Sequence, residues 1–276
     1  MKKLFKKKEK STEVKKAEVE AEMGFLDHLE QLRWHILRSF AAVFVIGIAV
    51  FIAKDFVFGT IIFGPLKESF PTFQMFCTLA ESMCFGPPKM QLDTINIGEQ
   101  FIIHIKSSIM IGFICSFPYV FWEIWRFVKP GLYDKEKKYT RGVVVIASLL
   151  FISGVLFGYF IISPFALNFL GNYTVAENVE SGGTLASYIT YMFMFTLPTG
   201  IIFQLPIVVY FLSKIGLVTP EFMKKYRRHA IVVILILAAI ITPPDIITQF
   251  LIGIPVYFLY EISIIISKRV QPDPDF

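Results

Sequence analysis

Six stretches of this chain run for fifteen residues or more without a charged side chain: Ser39–Ala53, Ser107–Trp122, Gly142–Ser163, Ser187–Ser213, Ala230–Pro244 and Ile246–Tyr260. At about 1.5 Å of rise per residue, each is long enough, or nearly so, to cross a hydrocarbon core of about 30 Å as a helix. The runs are continuously apolar rather than alternating, which excludes the strands of a membrane barrel. The chain is 55% hydrophobic and 18% charged. A soluble domain of that make-up would expose large apolar patches, and a disordered chain would need the opposite balance. Three cysteines are too few for a disulfide scaffold. The expectation is an all-α, polytopic membrane protein with six transmembrane helices at about 36–57, 101–123, 142–163, 187–213, 229–243 and 246–266. Residues 24–268 form one membrane domain, with charged tails at 1–23 and 269–276.

Residues 1–22 are rich in Lys and Glu and hold no apolar run, so they read as a solvated tail and not as a signal peptide. From Gly24, Phe25, Leu29, Leu32 and Ile36 recur at helical spacing, as in an amphipathic helix feeding the first span. Ten Lys/Arg precede that span, six lie between spans two and three, five between four and five, and two follow span six. Only Lys54, Lys67, Lys89 and Lys106 fall on the other side. This asymmetry makes both termini cytoplasmic. It also accounts for the basic balance as topology, without a nucleic-acid partner. Pro118, Pro198, Pro206 and Pro255 lie inside spans and predict a kinked bundle with concave faces.

Enzymatic motifs are absent: there is no phosphate loop, zinc-site helix or nucleophile elbow. No metal site or cofactor is expected. The histidines (His28, His35, His104, His229) read as interfacial polar residues at helix ends. Charged residues deep in the spans are scarce, with Glu99 and Lys106 in the outer turns of span two and Glu261 near the cytoplasmic end of span six. Gln204, Thr242 and Gln249 are polar but uncharged; they serve either as glue within the bundle or as docking points for another membrane helix. Cys77 and Cys84 share the first outer loop, where an oxidising compartment permits a bridge. The alternative is two unpaired thiols, with Cys115 buried in span two and unable to join them. On the cytoplasmic face, Glu30 and Arg33 of the entry helix and Phe127, Leu132, Tyr133 and Glu136 of the first inner loop combine carboxylates with aromatics. That set suits a guanidinium ligand, and equally an ordinary solvated charge cluster.

At these residues the chain resembles the TatC family, the receptor subunit of twin-arginine protein translocation. Four stretches carry the resemblance: His28–Arg33; Trp125–Tyr133 followed by Glu136; Thr242–Asp245 with Gln249; and Tyr260–Ser263. The resemblance implies a glove-shaped, non-enzymatic receptor in the bacterial cytoplasmic (inner) membrane, exporting folded proteins on the proton motive force. It implies binding of twin-arginine signal peptides, assembly with single-span TatA/TatB-type subunits and self-association in a larger complex. Glu136 matches the family's loop carboxylate, with Phe127, Leu132 and Tyr133 around it. Pro65 and Glu99 match positions in the first outer loop and at the start of span two. Thr242 and Gln249 match the partner-docking cluster, and Asp245 the adjacent turn aspartate. Two positions depart. The entry-helix glutamate is Gln31 here, leaving Glu30, about 100° round the helix, as the candidate second carboxylate. The glutamate often found in span four is Gln204. The other class considered is a small-solute secondary transporter or channel, which would need a midplane ion or substrate site; a membrane-embedded enzyme ranks below both.

Overall fold

The computed structural model describes residues 30–79, 84–88, 92–128, 140–173, 183–241 and 246–270, and these are mostly helical. In chain order the helices are α1 (Glu30–Ile52), α2 (Pro71–Leu79), α3 (Glu99–Val128), α4 (Thr140–Phe157), α5 (Ser163–Asn172), α6 (Leu185–Ile202), α7 (Leu205–Lys214), α8 (Pro220–Lys225), α9 (Arg227–Ile241) and α10 (Ile246–Val270). A wide π-type turn, Gly158–Ile162, joins α4 to α5. Among the described residues, five helical stretches are long and apolar enough to cross a membrane: Glu30–Ile52, Glu99–Phe127, Gly142–Asn172, Leu185–Lys214 and Thr248–Val270. The tail expected at 1–23 lies outside the described residues; of the one expected at 269–276, residues 269 and 270 end α10 and the rest lies outside the described residues.

The helix ends differ from the sequence expectation where a charge or a proline was taken as a border. The third span continues to Asn172 instead of stopping at 163. Pro164 sits in the first turn of α5, just after the π turn, and the helix continues through it; the Phe160 carbonyl four residues back, which a proline cannot serve, accepts the Thr72 hydroxyl. Of the last two spans, expected at about 229–243 and 246–266, α9 has 15 residues and α10 has 25, running on to Val270 with Glu261 paired inside its length. Of the four prolines, Pro206 accompanies a break. It cannot donate to the carbonyl of Ile202, so the fourth span halts at Phe203–Gln204 and restarts as α7. Pro118, Pro198 and Pro255 lie inside helices that continue through them. At the end of α7, Gly216 takes φ 76°, a left-handed cap that a side chain would strain.

Among the described residues the core falls into three apolar clusters. Val57, Ile62, Ile103, Leu167, Tyr188 and Met192 close one end of the bundle; Ile162, Ala166, Phe195, Ala238, Ile252 and Val256 join the π turn to α5, α6, α9 and α10; and Val209, Met223 and Ile264 pack α7, α8 and α10 together. The segment before α2 is pinned by hydroxyls from the bundle. Tyr159 donates to the carbonyl of Ile61 and Tyr188 to that of Ile62, each at 2.6 Å, and Thr72 donates to the carbonyl of Phe160. Pro65 is buried in this segment. A disulfide joins Cys77 in α2 to Cys84. Cys115 was expected to be buried; it is exposed on α3 instead, lining a cavity of about 600 Å³ walled by Ile111, Val155, Tyr159 and Met192.

α1 stands apart. Only 6% of its apolar window is buried, and Phe40 and Ile52 are more than 70% exposed. It is tied to α3 at three levels. His35 pairs with Glu123 at one end. In the middle, a Cβ added to Gly112 would lie 2.8 Å from the Cα of Gly47, so only glycine permits this crossing. At the other end the His104 ring stacks on Phe51 at 3.9 Å and bonds that residue's carbonyl at 3.0 Å.

Candidate functional site

The residues singled out for a guanidinium ligand fall on the start of α1 and the end of α3. Glu30 and Arg33 are exposed on α1, and Gln31 is exposed one position from Glu30. Gln31 lines a cavity of about 410 Å³ together with Trp34, His35, Arg38 and Arg126. Phe127 approaches the His35 ring edge-on, with centroids 6.3 Å apart. The structure therefore brings Gln31 and Phe127 to one place through His35, while Glu30 and Arg33 do not line that cavity. Glu136, Leu132 and Tyr133 lie outside the described residues.

Sequence reasoning missed the centre of this arrangement. Glu123 is 1% exposed, with one carboxylate oxygen bonded by the His35 ring and the other receiving Arg126 at 3.3 Å. A carboxylate that far from water persists only with partners that satisfy its oxygens. The sequence signal was present: Glu123 is the charge that ends the uncharged run of span two. Read as a border with water, it was not considered as a buried group. His35, 88 residues away, was likewise read as interfacial.

At the opposite end of α3, Glu99 is also buried, and its surroundings are of another kind. One oxygen accepts from the backbone N–H groups of Ile95 and Asn96 at 2.9 and 3.1 Å, the other from that of Ala186 at 3.2 Å. It thereby ties the start of α3 to the start of α6, next to the Thr184–Ser187 capping box.

The polar positions of the later spans turn inward. Gln204 sits at the break between α6 and α7. Its amide donates to the carbonyl of Ala147 at 3.1 Å, and its side-chain oxygen is buried with no hydrogen-bond partner among the described residues. Gln249 donates to the carbonyl of Leu235 at 3.1 Å, joining α10 to α9. Thr242 and Asp245 lie outside the described residues. At the far end of the same hairpin, Arg227 reaches Glu261 at 2.7 Å, and the Tyr257 hydroxyl donates to Glu261 at 3.0 Å. Outward from these contacts, Ile236 and Ile240 of α9 and Phe250, Ile254 and Phe258 of α10 are exposed and apolar.

The family of Sec-independent protein translocase proteins (TatC) matches residues 27–255 of the chain. The chain belongs to the TatC family. Among curated TatC relatives, the Sec-independent protein translocase protein TatC of Blattabacterium sp. subsp. Periplaneta americana is 40% identical over 91% of this chain and 97% of its own length. TatCy of Bacillus subtilis is 30% identical over 90% of this chain and 89% of its own. A crystal structure of the twin arginine translocase receptor TatC in DDM superposes with a TM-score of 0.69 at 33% identity, covering 87% of this chain and 99% of that one. The TatC match and the five apolar helices make this a multi-pass membrane protein and a component of a protein translocase.

Proposed function

We propose that this TatC chain is the receptor that reads twin-arginine signal peptides at the polar end of α1 and α3, spanning the bacterial cytoplasmic membrane six times with both termini in the cytoplasm. The observation that carries the reading is the convergence of the entry helix and the end of α3 on His35, which brings Gln31 and Phe127 together. Glu136, eight residues beyond the end of α3, is the main anionic contact, with Leu132 and Tyr133 beside it and Glu30 as the second carboxylate near Arg33. A bidentate guanidinium–carboxylate pair, partly shielded from water, selects arginine over lysine because an ammonium cannot make the two-pronged contact. The test is binding of a twin-arginine peptide against its twin-lysine variant. Glu136→Gln abolishes the discrimination, Glu30→Gln weakens it, and Gln31→Glu leaves it intact or improves it. Wild-type affinities for both peptides in Glu136→Gln would refute the assignment.

The apolar outer faces of α9 and α10, together with the polar residues Gln204, Thr242, Asp245 and Gln249, receive single-span TatA/TatB-type subunits, and the assembly works on the proton motive force without catalysis by this chain. Gln249→Leu weakens partner cross-linking by about 1 kcal/mol, the scale of one intramembrane hydrogen bond; unchanged cross-linking counts against the docking site. Cys77–Cys84 faces the oxidising side, so mass spectrometry of unreduced peptides finds the two linked, and two free thiols would reverse the orientation or the bridge.

A further inference from the structure

We propose that the cavity between α1 and α3 holds the phosphate of an anionic membrane phospholipid. Its walls carry two guanidinium groups, Arg38 and Arg126, and no carboxylate. The nearest acid described, Glu123, is buried behind His35 with both oxygens engaged. Arg126 commits one nitrogen to that carboxylate, and Arg38 makes no ion pair with any described residue. A phosphate matches this surplus in charge and in geometry, since the planar fork of arginine pairs two N–H groups with two phosphate oxygens. The Gln31 amide adds a neutral donor at the rim.

The source of the phosphate follows from where the cavity lies. Arg38 is the last charge on α1 before fifteen uncharged residues, and Arg126 stands in the last turn of α3. Both are therefore at headgroup depth on spans that enter the bilayer. Trp34 in the wall is 55% exposed, and Trp122 lies under the Arg126 guanidinium at 5.5 Å, as indoles do at the membrane interface. Towards the membrane interior the surface turns apolar: Val45, two turns beyond Arg38 on the same helix face, is 65% exposed. A free phosphate has no use for that surface; an acyl chain does. The cavity shares Gln31 and His35 with the surface assigned to the signal peptide, but its claim stands on Arg38 and Arg126 and does not rest on that reading.

The full-length chain in detergent is titrated with dioleoyl phosphatidylglycerol, with dioleoyl phosphatidylcholine and with inorganic phosphate, and bound lipid is counted by native mass spectrometry. The wild type retains the anionic lipid at least about tenfold over the zwitterionic one, the scale that two interfacial arginines supply. Arg38→Gln with Arg126→Gln removes that preference, whereas the charge-matched control Lys224→Gln with Arg228→Gln keeps it. If the double variant does not fold, Arg38→Lys with Arg126→Lys keeps the charge and loses the fork, and the preference falls several-fold. An unchanged preference in whichever pair folds overturns the proposal. So does displacement of phosphatidylglycerol by an equal concentration of inorganic phosphate, which would make this a bare phosphate site.

Discussion

Glu99 and Glu123 are buried carboxylates at opposite ends of one helix, held by different kinds of partner. Glu99 accepts three backbone N–H groups, from Ile95, Asn96 and Ala186. Glu123 is held by two side chains, His35 and Arg126. Backbone donors are fixed by the fold and available whatever side chains the sequence carries there. Side-chain donors can rotate away, change protonation or be replaced by another cation. The first arrangement is a rivet between two helices. The second is an exchangeable clasp, and it lies where the first turns of α1 meet the end of α3.

The largest expected effect separates the two directly. Glu99→Ala leaves three backbone donors without their acceptor and gives the larger drop in thermal unfolding temperature in detergent; an unchanged transition would show that water replaces the carboxylate and that no rivet exists. Next, His35→Leu removes one partner of the buried Glu123 carboxylate and costs about 2–3 kcal/mol. Adding Glu123→Leu to it recovers most of that loss, because the pair is replaced by apolar groups. Strict additivity of the two substitutions would show that the clasp is not a coupled unit. The smallest effect, about 1–2 kcal/mol, comes from Gly112→Ala, whose Cβ pushes on Gly47. It loosens α1 from α3 and touches neither carboxylate, so cross-linking between cysteines at positions 35 and 123 falls while cross-linking between 95 and 186 does not change. Equal changes at both ends would mean that the two carboxylates are not independent.

The positions of the apolar helices could be read from the sequence because an uncharged run of fifteen residues has few fates other than a span. Their ends could not. Glu123 was read as a border with water, yet it pairs with His35 of another helix and α3 carries it inside its length. Pro164 was read as a stop, yet the helix continues through it, and the Phe160 carbonyl that it cannot serve takes the Thr72 hydroxyl instead. Of the candidate site, Gln31 and Phe127 were found from the family motifs; Gln31 lines the pocket beside His35, and Phe127 meets the His35 ring edge-on. The residue between them was not found, since nothing local links His35 to an acid 88 positions later. Gln204 and Gln249 were identified as polar groups in apolar helices; that each amide would reach a backbone carbonyl of its own bundle depends on packing.

The sparse attachment of α1 also has a consequence in time. Its contacts with His104 and Glu123 are 53 and 88 residues away along the chain. At synthesis rates of about 5–20 residues per second, 88 residues take about 4–18 seconds. Through that interval the first span exists as a lone helix in lipid, with His35 at its end and Glu123, its partner, not yet made. Its exposed phenylalanines suit that period: a helix that must survive unaccompanied has its apolar surface facing the bilayer from the start, and the growing chain comes to it.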